Sequence, residues 1–214
     1  MPNPQDPDSD FTATLNGSHV RLDVPVRLMP VSIAKPWGRE IWYTGIEARG
    51  ESQVLTDSGP LNLSEYLQLA PDRLCGNLPL TLLKILEPDP RPVTGDLYFE
   101  LHDEKEEVYV VTEIDRTAWP EGTGQIRLGM SQTARRAHRD DLDFRATYLK
   151  AVKAYEKVRR AIDEQASAPA PEVAAREVEL RQAMEAFTEV RTVATGDVIV
   201  VPTRLPHALQ HGVR

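Results

Sequence analysis

The chain has 214 residues, 41% hydrophobic and 27% charged, which is enough apolar sequence for a packed core without covalent staples. A formal net charge of −8 argues against nucleic acid or an anionic membrane surface as partner, because both are bound through clustered Lys and Arg. The single cysteine, Cys75, excludes an internal disulfide framework, no apolar run approaches the ~20 residues of a bilayer span, and the opening MPNPQDPDSD lacks the basic and apolar regions of a secretory signal, so the cytoplasm is the expected compartment.

Residues 1–22, rich in Pro, Asp, Ser, Thr and Asn, read as a flexible leader. Strands are expected at Val26–Ile33 and Glu40–Tyr43, around a turn at Lys35-Pro36-Trp37-Gly38, with Trp37 and Trp42 as core packing. Leu63–Leu69, following Asn62, carries a helix-start signal. The short apolar run Pro79–Leu86 reads as a buried strand from its length and bounding prolines. Asp96–Leu101, Val108–Thr112 and Gly124–Gly129 continue the strand pattern.

From Asp141 to Ile162 the period changes, with Leu142, Tyr148, Leu149, Val152, Tyr155 and Val158 recurring at helical spacing. Ser167-Ala168-Pro169-Ala170-Pro171 interrupts this pattern and Glu172–Phe187 resumes it, which predicts a helical hairpin at 140–187 inserted into a β domain spanning 23–139 and 188–214. Strand pattern returns at Val190. In the last nineteen residues, a Gly196-Asp197 turn, the run Val198-Ile199-Val200-Val201 and Pro202 precede His207, which describes a buried strand delivering an imidazole to an interior.

That imidazole has candidate companions. Glu100 and His102 stand at i and i+2, on one face if the segment is extended, and Glu107 opens the next apolar run. Two carboxylates and two imidazoles make a mixed oxygen and nitrogen donor set suited to Zn, Fe, Mn or Ni. Lys84, Lys105 and Arg204 flank these residues in sequence and are the local cations that a small anionic ligand needs. His211 reads as a surface residue or a neighbour of the ligands.

The spacing Gly196, Pro202, Arg204, His207 resembles the second motif of the cupin superfamily, with Arg204 at a position normally held by glycine. The first motif is looser, around Gly95, Glu100, His102 and Glu107. Within that superfamily the chain resembles the type I mannose-6-phosphate isomerases. The resemblance runs through Lys35-Pro36-Trp37-Gly38, Leu82-Leu83-Lys84-Ile85-Leu86, Glu100-Leu101-His102-Asp103, Lys105-Glu106-Glu107 and Pro206-His207-Ala208, and covers about residues 26 to 214. It implies a mainly β fold with helices, a cupin-like jelly-roll barrel carrying the inserted hairpin, with Glu100, His102, Glu107 and His207 as ligands of a divalent metal, zinc by expectation. It also puts Lys105 at a position lining the active site. For the isomerase chemistry itself, Lys105 is the expected catalytic cation, binding the phosphate or stabilising the developing oxyanion, Arg204 is a second substrate-binding cation, and Glu104 or Asp103 is the expected base.

The chain departs from the family pattern in three places. Glu100 replaces a neutral Gln, only four residues separate His102 from Glu107 where the family has a long insertion, and seven residues follow His207 where the family continues to an active-site arginine. The expected function is isomerisation of mannose 6-phosphate and fructose 6-phosphate, with this chain as the metal-binding half of such an enzyme. The alternatives are a non-catalytic metal- or sugar-binding cupin and, less in keeping with two carboxylates, an iron oxygenase. A strand this near the last residue leaves a sheet edge suited to a second copy of the chain or to further sequence.

Overall fold

Short β-forming runs separated by Pro, Gly and Asp turns produce many small ladders, and the computed structural model describes them over residues 12–15, 18–74, 79–164 and 168–214. Cys75 and Ser167 lie outside the described residues, as do residues 1–11 of the expected leader. The chain divides into two compact units, residues 1–89 with Arg214, and residues 90–213.

The first unit is built from antiparallel pairs. Strands β1 (Thr12–Leu15) and β2 (Ser18–Arg21) form a hairpin, and Val20 enters a core cluster with Val54, Leu63 and Tyr66, against which Leu22 also packs. This hairpin lies within the expected 1–22 leader, where polar composition hid the alternation that brings Val20 and Leu22 to the core. Strands β3 (Arg27–Met29), β4 (Val31–Lys35), β5 (Gly38–Trp42), β6 (Ile46–Glu47), β7 (Gly50–Glu51), β8 (Gln53–Thr56) and β9 (Gly59–Asn62) follow. The two-residue Pro36-Trp37 turn sets Lys35 opposite Gly38, and Trp37 and Trp42 are both buried as expected. Gly38 has φ 144°, and a Cβ there would lie 2.1 Å from the Glu87 carbonyl oxygen, so only glycine lets the next strand approach. Helix α1 (Leu63–Leu69) begins where Glu65 accepts the Asn62 backbone N–H at 3.3 Å, and α2 (Pro71–Leu74) follows it. Of the expected Pro79–Leu86 strand only the end is laddered, as β10 (Lys84–Pro88) beside β5. Leu80 and Leu83 remain exposed, since the chain ahead of Lys84 is held mainly by Thr44 and Tyr43 instead of by a neighbouring strand.

The second unit contains β11 (Glu107–Val110), β12 (Thr123–Met130), helices α3 (Gln132–Arg136), α4 (Asp141–Asp163) and α5 (Pro171–Glu185), then β13 (Thr188–Ala194), β14 (Val198–Val201) and β15 (His207–Leu209). Asp140 caps α4 by accepting the Asp143 N–H at 2.8 Å, and Pro171 starts α5 where a missing N–H costs nothing. The two helices pack on each other, with Tyr155 held against the buried Glu177. Phe144, Phe187, Tyr148 and His138 form an aromatic cluster at 5.4–5.5 Å between ring centroids that ties α4 to the start of β13.

Strand β12 is central, pairing with β13 on one side and β15 on the other, and it buries Ile126 and Leu128. Gly129, at φ 82°, sits in the register shift between Arg127 and Met130, and its N–H reaches the Pro206 carbonyl at 2.7 Å, directly before His207. Asp96–Leu101 is not a continuous strand. It meets the 204–209 segment through separate contacts, Leu97 N–H to Leu209 and a two-bond bridge between Glu100 and His207. Strand β14 is only half buried. It pairs with β11 in a two-stranded sheet, so Val201 is enclosed while Val198 and Val200 face outward beside Val110 and Val108. Among the described residues no sheet closes into a barrel.

Candidate metal centre

The bridge between Glu100 and His207 is the foundation of the site. Each backbone N–H donates to the other's carbonyl, at 3.0 and 2.9 Å, which fixes the two residues side by side across a hundred positions of sequence. Two residues on, the His102 carbonyl accepts the Arg204 N–H at 2.7 Å, so both side chains of the Glu100-Leu101-His102 segment are carried by the loop that carries His207. Glu107 arrives from β11, opposite Val201 of β14, and β15 is held in register by Leu128 of β12.

These elements converge four side chains. One ligand-type atom from each of Glu100, His102, Glu107 and His207 lies within 4.8 Å of all the others. His207 Nε2 is 3.0 Å from Glu107 Oε2 and 3.9 Å from Glu100 Oε1, while His102 Nε2 is 3.7 Å from Glu107 Oε1 and 3.6 Å from Glu100 Oε1. Burial is graded across the cluster, with side-chain exposures of 1% for His207, 9% for Glu107, 23% for His102 and 47% for Glu100. The deep end is thus closed, and Glu100 stands at the solvent side.

The hydrogen bonds set the chemical state of each group. The Leu205 carbonyl, 2.8 Å from His207 Nδ1, can only accept, so Nδ1 carries a proton and Nε2 faces the cluster. Burial disfavours the imidazolium, yet the Glu107 hydrogen bond, the Leu205 carbonyl and the charges of Glu107 and Glu100 outweigh it and raise the His207 pKa above 6.5. Burial likewise opposes the Glu107 carboxylate, but hydrogen bonds from His207, Lys105 and Tyr109, with the Lys105 charge, hold its pKa well below the usual carboxylate range. Tyr109 donates to Glu107 Oε2 at 2.9 Å and presents its ring edge-on to His207 at 5.7 Å.

The residues fit a divalent metal on two counts. The His102 Nε2 atom is buried with no hydrogen-bond partner, an arrangement that costs stability unless a ligand takes its place. The donors are two imidazole nitrogens and two carboxylates, three of them mostly shielded from water, which is the set used for Zn and its neighbours.

The other expected site residues are placed less centrally. Lys105 lies 2.5 Å from Glu107 Oε1. Glu104 and Asp103 are exposed, and the Arg204 guanidinium, 77% exposed, is 3.8 Å from Asp103 at the surface. Arg204 has φ 63°, the left-handed conformation for which the motif's usual glycine is suited. His211 keeps a pair of its own, 2.7 Å from Asp96 Oδ1 and stacked on Trp119 at 4.7 Å. Tyr109 escaped the sequence reading, although its i+2 spacing from Glu107 on a strand was the signal that both side chains share a face. A cleft of about 290 Å³ between β12, β13 and β14 is lined by Ile126, Leu128, Val193 and Ile199 among others, and by none of the cluster residues.

No protein-family model and no curated protein matches this sequence. Solved structures do match in fold. Mannose 6-phosphate isomerase from Bacillus subtilis aligns with 88% of this chain and 56% of its own, at a TM-score of 0.55 and 15% identity. A zinc-bound mannose 6-phosphate isomerase aligns at a TM-score of 0.51 and 12% identity, and the enzyme from Salmonella typhimurium bound to fructose 6-phosphate and zinc at 0.50 and 13%, each over 88% of this chain and 66% of its own. At these identities the likeness is one of fold. The chain is a strand-rich mixed structure similar to these isomerases, and spans 56–66% of their length.

Proposed function

We propose that this chain is a metal-dependent sugar-phosphate isomerase of the mannose-6-phosphate type, interconverting mannose 6-phosphate and fructose 6-phosphate, or the metal-binding half of one. The observation that carries the reading is the convergence of Glu100, His102, Glu107 and His207, from three separate segments, around an unpartnered imidazole nitrogen. In this reading these four residues hold a divalent ion, zinc by preference, and the fold is a cupin-like jelly roll in which α4 and α5 form an inserted helical hairpin. Its working compartment is the cytoplasm, and a second copy of the chain is its candidate partner.

A bound ion would supply a Lewis acid that polarises sugar oxygens. The chain's own residues do the remainder. Aldose–ketose interconversion moves a proton between C1 and C2, and Glu104 is the carboxylate assigned to carry it, exposed at the same loop as Lys105. Lys105 and Arg204 are the cations assigned to the anionic substrate. Tyr109 and the Leu205 carbonyl orient Glu107 and His207 respectively, so the two most buried ligands enter with fixed geometry.

One observation favours a second reading. Glu100 places a negative charge where the resembled family has a neutral amide, which strengthens metal binding and weakens the metal's pull on a substrate oxygen, and this suits a metal- or sugar-binding cupin without turnover. A coupled assay on zinc-reconstituted protein and its His207→Ala variant separates the two. Turnover of mannose 6-phosphate, lost in the variant, is the expected result. Folded, zinc-loaded protein without turnover overturns catalysis by this chain in itself, in favour of the binder or of a metal-binding half that needs the rest of an enzyme.

A further inference from the structure

The two oxygens of Glu107 are in different situations. Oε2 is engaged by His207 at 3.0 Å and by Tyr109 at 2.9 Å. Oε1 faces His102 Nε2, which has no partner, and the atom lying on it is the ammonium of Lys105, at 2.5 Å. The position a divalent ion would take beside Oε1 thus adjoins a cation that the protein itself supplies. Glu100 and Glu107 concentrate negative charge within a few ångströms, and one carboxylate beside another requires positive charge between or around them. A lysine on a flexible four-carbon stem meets that need reversibly, since its side chain is 45% exposed and can leave without repacking the core.

We infer that Lys105 is an internal counter-cation that neutralises Glu107 in the metal-free protein and is displaced from Oε1 when a divalent ion binds. This rests on the metal-centre reading of the cluster. Ion and ammonium compete for the same lone pairs and repel one another, so the contact lowers metal affinity. Its displacement also frees a positive group at the solvent side of the site, so that metal loading and the capture of an anionic ligand reinforce each other reciprocally.

Zinc dissociation constants, measured by competition with a chromophoric chelator, test this on wild-type protein and on Lys105→Met, Lys105→Gln and Lys105→Arg. The Met and Gln variants are expected to bind zinc about fivefold more tightly at low salt, the scale of a partly exposed charge pair. Lys105→Arg, which keeps the charge, is expected to match wild type, and the advantage of Met and Gln should narrow as salt is raised. Met and Gln variants that bind zinc no more tightly than a zinc-binding wild type overturn the counter-cation role alone. Folded wild-type protein that binds no zinc overturns that role and the metal centre together.

Discussion

Glu40 in the first unit and Glu107 in the second are carboxylates in similar company. Each side chain is 9% exposed, each accepts from an aromatic donor, Trp42 Nε1 at 2.7 Å or Tyr109 at 2.9 Å, and each has a lysine beside it, Lys35 at 3.3 Å or Lys105 at 2.5 Å. Both pKa values are lowered, burial in each case being outweighed by hydrogen bonds and lysine charge. The difference lies in the remaining neighbours. Glu40 has a second lysine, Lys84 at 3.8 Å, so donors surround one acceptor and the group is closed. Glu107 has two imidazoles and another carboxylate; His207 meets it at 3.0 Å, but the buried His102 Nε2 is left without a partner. A perturbed buried carboxylate is therefore no mark of a site by itself. A surplus of lone pairs around it is.

Zinc should separate the two regions most sharply. At a free concentration of a hundred times the dissociation constant, wild-type protein gains about 2.7 kcal/mol of stability by mass action. Glu40→Ala should show the same rise in melting temperature on adding zinc, and Glu107→Ala none; a zinc response surviving in Glu107→Ala would erase the distinction. Without metal, Glu40→Ala leaves two half-buried ammonium groups unpaired and should cost roughly 2–3 kcal/mol in urea unfolding, below the range for fully buried pairs because Lys35 and Lys84 retain some solvent contact. Unchanged stability would mean that both lysines reach water freely.

The pH dependence of the metal-free protein is a finer test. The raised His207 pKa contributes stability that is fully present below 6.5 and lost as pH rises through the folded-state value. The depressed Glu107 pKa contributes stability present above 4.5 and lost as pH falls through its folded-state value. The pair therefore stabilises the protein most between these limits. Glu40 adds only an acid limb, so the alkaline loss should vanish in His207→Ala and persist in Glu40→Ala, as read by melting temperature across pH. The smallest effect concerns Arg204, whose left-handed backbone should let Arg204→Gly gain about 0.5 kcal/mol, the relief of strain less the added chain entropy. A loss instead would show that the Asp103 contact outweighs the strain.

Much of this molecule was legible before the structure. Leu63–Leu69 announced itself by the Asn62 start signal, the Asp141–Asp163 helix by its period, the Pro171–Glu185 helix by the prolines that precede it, and the turn at Pro36-Trp37 by its residues. The four members of the cluster were recognisable by residue type and spacing. Strands were less legible. Asp96–Leu101 looked like one and is only bridged, Val198–Val201 looked buried and is half exposed, and the 12–21 hairpin was hidden in polar sequence. Whether an extended segment becomes a laddered strand depends on what lies beside it, and that neighbour is far away in sequence.

The same reason divides what the amino-acid sequence determined from what the tertiary structure decided. Helix positions and the identity of the four donors are local properties, carried by hydrogen bonds between near neighbours and by side-chain chemistry. Tyr109 and Lys105 meet Glu107 across two positions of chain, whereas the Glu100–His207 bridge and the His207 contact with Glu107 arise only when segments a hundred residues apart are brought within 4 Å. No periodicity records that approach, because the free energy that selects it belongs to the packed whole.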